Sequence, residues 1–523
     1  MKKRQWIVIA PAAVVILGLI GYIYGEGYDY YTALLSSLKL VKVYLDPLPK
    51  HNILLEIARW IGIIFLFGLV YTALITVVEN SMIWKRVRRD DAVAVHGEGV
   101  YMEQLLASLG KKGIRSDNRL SFKAPKQVIM FESDDATLDF FQAHSSQLQK
   151  ADEVHLCLEM GSHISLEQNN VFLINTSEVK AISYWREHFC TGRETIAIIG
   201  EGQLAEAVLY WGLLTNIYDR EGHFRYLVFG DHERFQAMHP DLDSILNQYG
   251  SDTIEFIHEK WYRSTSLLSE ADRIILCKST WDNVSIANSM CDAGYDAEIH
   301  LFTDSTNISA LVDNKKCVLT GALHDDNIQE VLLMDDIHKD GKLCHAAYML
   351  GEKEDVSSLN YSQLAAYVTT EEFRKGFNKR EGQYIPGDPD SIGGWNSLDA
   401  FTRGSNYAAA MHDSLKYLLL KEHGIDVKGM DSIQNETAYE RLDQAVKDEL
   451  QEIEHIRWSR YHFLNNWKCP QGDIVIDGKK KVKDSARRLH TCLRPYSELS
   501  AKDNSKDAYF YETLALRIED NPC

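Results

Sequence analysis

Two long stretches of the chain carry no charge: residues 6–24 (WIVIAPAAVVILGLIGYIY) and residues 60–78 (WIGIIFLFGLVYTALITVV). At a rise of about 1.5 Å per residue, each is long enough to cross a hydrocarbon core about 30 Å thick. They predict two transmembrane helices, over about residues 6–24 and 55–80. A cleaved signal peptide does not fit the first stretch, whose apolar region is too long and is followed by no small-x-small cleavage site. Between the two lies an amphipathic stretch, residues 32–45 (TALLSSLKLVKVYL). After Asp91 the pattern changes: short apolar runs of strand length alternate with helical periodicity, which predicts parallel α/β layers. Beyond Gly341 helical spacing dominates. A Gly-, Pro- and Asp-rich loop at 380–396 precedes helices expected at about 399–422 and 437–460.

The flanks of the apolar stretches set their orientation. Lys2, Lys3 and Arg4 precede the first, and Lys85, Arg86, Arg88 and Arg89 follow the second. Positive charge on both outer flanks places both termini in the cytoplasm of a protein in the inner (cell) membrane, in contact with lipid. Tyr22, Tyr24, Tyr28, Tyr30, Tyr31 and Trp60 suit the interfacial belt. The outline matches a two-helix potassium-channel subunit, but nothing corresponds to the T-V-G-Y-G loop whose carbonyls replace the ion's water shell. Lys39 and Lys42 would also repel cations. A standard potassium pore is excluded; a different pore and a plain anchor both fit.

The clearest chemistry lies at residues 195–231. Thr195 to Ile199 reads as a buried strand, and Gly200-Glu201-Gly202-Gln203-Leu204-Ala205 opens a helix. This is G-x-G-x-x-A between a strand and a helix: Gly200 permits the tight turn, Gly202 lets a phosphate approach the backbone beside Gln203, and Ala205 lets the helix pack closely. The next strand ends at Asp231, an acid placed to accept hydrogen bonds from a ribose. The spacing is long because residues 216–223 form an insertion. A degraded copy precedes it, with Gly97 and Gly99 in the turn, Met102 replacing the third small residue and Glu132 as the corresponding acid. Two such units behind two spans resemble the TrkA-N-type nucleotide-binding domains of potassium-transport regulators and ligand-gated channels. That resemblance implies NAD or another nucleotide-type ligand; a Rossmann-shaped scaffold without ligand is the competing reading.

Near the end, Glu454-His455-Ile456-Arg457-Trp458, Asn466-Trp467-Lys468 and His490-Thr491-Cys492-Leu493-Arg494-Pro495-Tyr496-Ser497-Glu498-Leu499 follow one another. These segments are similar to the RyR domain, named from ryanodine receptors and found as a stand-alone bacterial module. Asn466 stands where the family often has Gly, and Asp507-Ala508 where Asp-Arg is common. Lys481, Lys483, Arg487, Arg488 and Arg494 crowd a stretch in which Asp484 is the acid, forming an anion-attracting patch. Trp458, Trp467 and Tyr496, with His455, offer stacking surfaces for a base; core tryptophans and a solvated lysine turn are the plainer reading. His455 and His462 lie about 10.5 Å apart along a helix, too far to share one metal ion, and no metal is expected. The polar set Arg403, Ser405, Asn406, His412 and Lys416 is expected on a solvated helix face.

Composition narrows the partners. The 523 residues carry 56 Lys+Arg against 75 Asp+Glu, a net charge of −19 that disfavours binding to nucleic acid. Nine scattered cysteines without C-x-x-C argue against a disulfide scaffold and for a reducing cytosol. The expected class is α/β plus membrane helices: an N-terminal two-helix transmembrane hairpin, tandem Rossmann-like (TrkA-N-type) domains, and a mainly helical C-terminal RyR-like domain. The corresponding segments are 1–90, a degraded Rossmann-like domain at 91–192, a TrkA-N-type domain at 193–330, a helical connector at 331–435 and the RyR-like domain at 436–523. The resemblances imply a membrane-anchored, homo-oligomeric, nucleotide-sensing effector or channel-like protein of the kind met in antiphage defence. A membrane-anchored NAD-dependent oxidoreductase is a second reading, although no Y-x-x-x-K or comparable acid/base constellation marks the Rossmann region, and no catalytic residue is assigned. A non-catalytic scaffold is a third.

Overall fold

Apolar stretches at the N-terminus form helices, and the alternating pattern after Asp91 forms parallel sheets. The structure, a computed structural model, describes residues 3–41, 52–116, 120–131, 133–158, 170–222, 224–240, 242, 252–303, 306–312, 316–320, 340–341, 344–345, 398–430 and 432–518. Residues 1–92 and 117–125 form one compact unit and the rest of the chain a second.

In the first unit, α1 (Lys3–Ile20) continues as a π-turn over Gly21–Gly25 and is followed by α2 (Tyr30–Val41) and α3 (Ile53–Val87). Asn52 starts α3 by accepting the Leu54 N–H, and its Nδ2 donates to the Gly21 carbonyl at 2.8 Å. The first element of α3 is thereby tied to the end of α1. At 35 residues α3 outruns the expected span, because neither Gly nor Pro interrupts the chain between Gly68 and Val87. Among the described residues Ile53–Tyr71 is long and apolar enough to cross a membrane, and Ala10–Gly25 is apolar but shorter. Trp60, Ile64, Phe67, Tyr71 and Leu74 stand exposed along α3. The amphipathic stretch forms α2, which runs back along α1: Tyr28 stacks on Tyr22, and Gly18 leaves room for Ser37 and Leu40. Residues 42–51, which include the remainder of that stretch (42–45), lie outside the described residues.

In the second unit, β1 (Val93–Gly97), β2 (Gly113–Arg115), β3 (Lys126–Met130), β4 (Glu153–Leu158) and β5 (Val171–Asn175) form a parallel sheet of order β2-β1-β3-β4-β5. Helices α4 (Val100–Leu109), α5 (Asp134–Leu148) and α6 (Thr176–Glu187) accompany it. A second parallel sheet follows, built from β6 (Thr195–Ile199), β7 (Arg225–Phe229), β8 (Thr253–Ile257), β9 (Arg273–Leu276), β10 (Glu298–Phe302) and β11 (Cys317–Thr320). Its order is β11-β10-β9-β6-β7-β8, with α7 (Gln203–Thr215), α8 (Glu233–Met238) and α9 (Thr280–Asp292) between strands. These are the parallel α/β layers expected from the sequence. The order reverses between β6 and β9, and α7 and α9 pack on opposite faces of the sheet, the arrangement in which open α/β sheets bind ligands at the carboxyl ends of their strands.

The C-terminal part contains α10 (Ala400–Met411), α11 (Asp413–Glu422), α12 (Ser432–Glu440), α13 (Gln444–Leu464) and α14 (Ala501–Glu512). Two short ribbons intervene: β12 (Ile474–Ile476) with β13 (Lys479–Lys481), and β14 (Lys483–Asp484) with β15 (Leu489–His490). The expected helix at 399–422 breaks at His412, and the one at 437–460 at residues 441–443. The polar set on the first of these does not form a solvated face. His412 and Lys416 are fully buried and Asn406 nearly so; the first two face the Glu454 carboxylate of another helix, and Asn406 Nδ2 donates to the Thr402 carbonyl. Lys416 Nζ meets Glu454 at 3.1 Å, Arg457 clasps the same carboxylate at 2.7 Å, and Arg517 binds Asp413 at 2.6 Å. Burial alone would raise the Glu454 carboxyl, but the Arg457 and Lys416 cations outweigh it and hold it at about 2. The insertion at 216–223 has a use here: Ile217 packs among Leu415, Leu419 and Ile456, and its carbonyl faces His412 Nε2 at 3.0 Å.

Burial pushes the imidazoles of His96 and His490 down to about 4 and that of His412 to about 3. The unfolded chain therefore takes up protons near pH 6.5 that the folded chain refuses. The stability these groups lend is complete above pH 6.5 and is lost as pH falls toward 4, at up to about 1.4 kcal/mol per pH unit for each group. The midpoint of thermal unfolding should fall across this window, and His96→Asn should make the fall shallower; an unchanged slope would contradict the assignment.

Candidate nucleotide site

The Gly-rich turn of the second sheet is held by backbone hydrogen bonds before any ligand is considered. The Gly200 N–H donates to the Phe229 carbonyl at 3.2 Å and the Gly230 N–H to the Ile257 carbonyl at 3.2 Å. Gly202 caps α7 with φ +86°, a backbone state that L side chains rarely adopt, and the space a Cβ would enter is open. The unsatisfied N–H groups of the first turn of α7 and its dipole accordingly face an accessible surface suited to an anion. Ala205 is fully buried against the sheet, as close packing of this helix requires.

Gly202, Gln203, Glu206, Asp231, Glu233 and Arg234 line a pocket of about 390 Å³. Asp231 follows β7 at the rim, its Oδ1 accepting the Glu233 N–H at 3.2 Å. The two ends of the motif expected from the sequence thus share one cavity, together with Glu206, Glu233 and Arg234. In the sequence His223, His232 and His258 are present without any organising pattern; the structure gives His232 a place, buried with Nε2 3.1 Å from the Gly200 carbonyl and Nδ1 3.8 Å from Glu206. It braces the turn from below. Its position directly after the ribose-type acid was the available signal. Across the strand-order reversal, Lys278 Nζ approaches Glu201 at 3.8 Å.

In the first sheet, Gly97 and Gly99 adopt φ of +142° and +108°, and Gly99 caps α4. A Cβ at Gly97 would overlap the Met130 carbonyl, so strand packing alone demands this glycine. Met102 is buried where the second copy has Ala205, and His96, 1% exposed, bonds Gln127 at 2.6 Å directly below the turn. Glu132 lies outside the described residues.

The C-terminal site residues divide into two groups. Lys481, Lys483, Arg487 and Arg488 are exposed on or beside the ribbons. Arg487 pairs with Asp484 at 2.6 Å, Arg488 Nη1 donates to the Asn465 carbonyl at 2.8 Å, and half-buried Arg494 donates to the Thr491 carbonyl at 2.7 Å. The aromatic group lies inward. Trp467 is buried with its ring stacked on Phe401 at 4.9 Å; Trp458 lies 4.0 Å from His462 and 4.9 Å from His490. A base stacking on Trp467 would have to displace Phe401. His455 Nε2 faces the Arg494 carbonyl at 2.9 Å, and the Tyr496 hydroxyl donates to Gln451 at 3.0 Å. Burial pushes His455, His462 and His490 down, which leaves them neutral near pH 7, so the lysines and arginines carry the patch's charge. A pocket of about 350 Å³ includes Lys468, Asp473 and Arg487, reaching the patch at its edge.

The two candidate sites are joined through α7. Its carboxyl half packs with Met411, Tyr461, Leu464 and Phe510, and Arg460 of α13 donates to the Leu213 carbonyl at 3.2 Å while pairing with buried Asp252 at 2.7 Å. Asp252 in turn accepts the Phe224 N–H at 2.9 Å ahead of β7.

No family model matches the chain, and no curated protein does. Two solved structures of GsuK align with it. One is a point mutant, at 14% identity and a TM-score of 0.30; the other is GsuK bound to ADP, at 13% identity and a TM-score of 0.29. Each alignment covers 64% of this chain and 97% of the GsuK chain. The Rossmann-like description rests on the strand order and the turn geometry given above.

Arg460→Met leaves the Asp252 carboxylate buried without its cation and should cost about 3–5 kcal/mol in chemical denaturation. The double variant Arg460→Met/Asp252→Asn should cost less than the sum of the single variants. Strict additivity would show that the pair does not act as a unit.

Proposed function

We propose that this chain is a membrane-anchored nucleotide sensor whose cytoplasmic part binds a nucleotide-type ligand at the second Gly-rich turn and acts on an N-terminal two-helix transmembrane module. The observation that carries the reading is the pocket in which Gly202, at the amino end of α7, and Asp231, at the carboxyl end of β7, lie together beside the strand-order reversal. A phosphate belongs at the helix terminus, where backbone N–H groups and the helix dipole attract it. Sugar hydroxyls belong at Asp231 and Glu233, because carboxylates accept hydrogen bonds from hydroxyls and repel a phosphate. NAD and mononucleotides both meet this description. The C-terminal part, similar to an RyR domain, supplies a second anion-attracting surface at Lys481, Lys483 and Arg488.

The membrane reading is supported by the apolar, exposed surface of α3 and by the cationic cluster from Lys85 to Arg89 at its end. Both termini then lie in the cytoplasm. The α2 helix packs within the same helical unit, its Leu40 carbonyl lying beside Gly62 of α3. Transmission has a covalent route. The turn Ser121–Lys123, which connects β2 to β3, packs in the helical unit, with Lys123 Nζ 4.3 Å and Arg88 4.5 Å from the Trp84 ring centre.

Calorimetric titration of the detergent-purified chain with NAD, nucleoside mono- and diphosphates and cyclic nucleotides tests the reading, followed by liposome flux with any ligand that binds. Gly202→Asp places a carboxylate at the phosphate position and should weaken binding at least about tenfold, with thermal unfolding confirming that the chain stays folded. Unchanged affinity would place the ligand elsewhere, and a chain indifferent to every nucleotide would end the proposal. Charge reversal of Lys481, Lys483 and Arg488 to Glu should abolish any response arising at the C-terminal patch while leaving titration at the Gly-rich turn intact. A full response in that variant would reduce the patch to a solvated surface.

A further inference from the structure

Two of the nine cysteines, 26 positions apart in sequence, come together. Cys291 on the last turn of α9 and Cys317 at the start of β11 bring their Sγ atoms to 3.8 Å. Both belong to the apolar layer formed by Met290, Tyr295 and Ile299, but they are not equally covered. Cys317 is 7% exposed, whereas Cys291 is half-buried and reachable from solvent. The surroundings fix both ends of the pair. The Gly294 N–H donates to the Cys291 carbonyl at 3.1 Å, and Cys317 is held in register with Ile299. Between them Lys316 Nζ donates to the Tyr295 carbonyl at 2.7 Å, tying the turn after α9 to the entry of β11.

We infer that Cys291 and Cys317 form a redox-responsive dithiol, oxidised by a low-molecular-weight disulfide such as glutathione disulfide to an internal disulfide that staples strand β11 to α9. The asymmetry in exposure assigns the roles. The Cys291 thiol gives its proton to solvent, and its sulfur attacks one sulfur of glutathione disulfide; that S–S bond breaks, and the departing glutathione thiolate takes up a proton. The Cys317 thiol, likewise deprotonated, then attacks the Cys291 sulfur of the mixed disulfide and releases the second glutathione. In total two protein thiols and one glutathione disulfide become one protein disulfide and two glutathione thiols, the two electrons passing from the protein to glutathione. Closing the sulfur separation to about 2.0 Å calls for side-chain rotation at the two sites. Reversible dithiols of this kind suit a reducing compartment, where permanent disulfides do not persist. The pair sits at the amino ends of β10 and β11, the opposite end of the sheet from the Gly-rich turn, so the inference is independent of any ligand there.

The full chain in detergent is equilibrated in glutathione buffers of graded reduced-to-oxidised ratio, quenched in acid, alkylated, digested and examined by mass spectrometry. The expected result is a peptide holding Cys291 joined to a peptide holding Cys317, growing as the buffer becomes more oxidising and lost again on return to reduced glutathione. In Cys317→Ser the mixed disulfide should instead accumulate at Cys291. In Cys291→Ser, Cys317 should stay alkylated under the same buffers, which guards against misfolding of the first variant. Full alkylation of both cysteines at ratios where exposed Cys469 already carries glutathione would overturn the inference, as would glutathione held on Cys291 of the unaltered chain without transfer to Cys317.

Discussion

Helix α7 is the constraint on which the architecture of the second unit depends. From Ala205 to Thr215 nearly every residue is buried, so the helix has no solvated face to give up and must be covered on all sides. Its amino end rests on β6 and carries the Gly-rich turn. Its middle packs on α6, where Gly212 sits against the Trp185 ring and Trp185 Nε1 donates to the Val208 carbonyl at 2.8 Å. Its carboxyl end meets α10 and α13 in one continuous apolar cluster. A helix that is apolar all round cannot be placed by amphipathicity; three neighbours from three parts of the chain place it instead. A shift of this helix would therefore be felt by the first sheet, the C-terminal helices and the turn together.

The charges around α13 work by the same logic in a polar medium. Glu454, Lys416, Arg457, Asp413 and Arg517 are withdrawn from water, which is costly unless each charge is answered. Arg457 reaches Glu454 through two nitrogens, and Arg517 forks onto both oxygens of Asp413. Directional pairs of this kind allow few alternative registers between α11, α13 and the residues after α14, where an apolar core of the same volume would tolerate sliding. On the same helix, a separate pair of Arg460 with Asp252 brings Arg460 to the Leu213 carbonyl at the end of α7.

Local features were legible in the sequence. Gly202 announces itself because a positive φ and a close approach are properties of one residue in one turn, and the buried strands beside it read as continuous apolar runs. The α/β alternation was equally plain. What escaped depends on distant partners. His412 and Lys416 read as a solvated face because periodicity reports only which residues share a side, and the carboxylate answering them, Glu454, is far along the chain. The insertion at 216–223 was visible as added length, but its purpose, Ile217 packed among C-terminal side chains, was not. Strand β2, with three residues, is too short to carry a period. Of the two readings open for Trp467, a stacking surface and a core ring, its burial against Phe401 favours the core.

Sensing requires that a ligand favour one arrangement over another, since equal affinity for two states moves nothing. The pocket at Gly202 meets a precondition for this, because its walls belong to separately anchored elements. Gln203 and Glu206 ride on α7, while Asp231, Glu233 and Arg234 ride on the end of β7 and on α8. His232 links the two walls by reaching from β7 to the Gly200 carbonyl. A ligand joining phosphate to sugar would bridge both walls, and any change in their spacing would pass along α7 to Leu213, where Arg460 holds the C-terminal helices. The carboxylates on the rim add selectivity. In a chain already carrying a net charge of −19, a phosphate gains at the helix terminus and loses beside Asp231 and Glu233. On the proposed reading, such a site would discriminate by where a ligand's charge lies, not by how much of it there is.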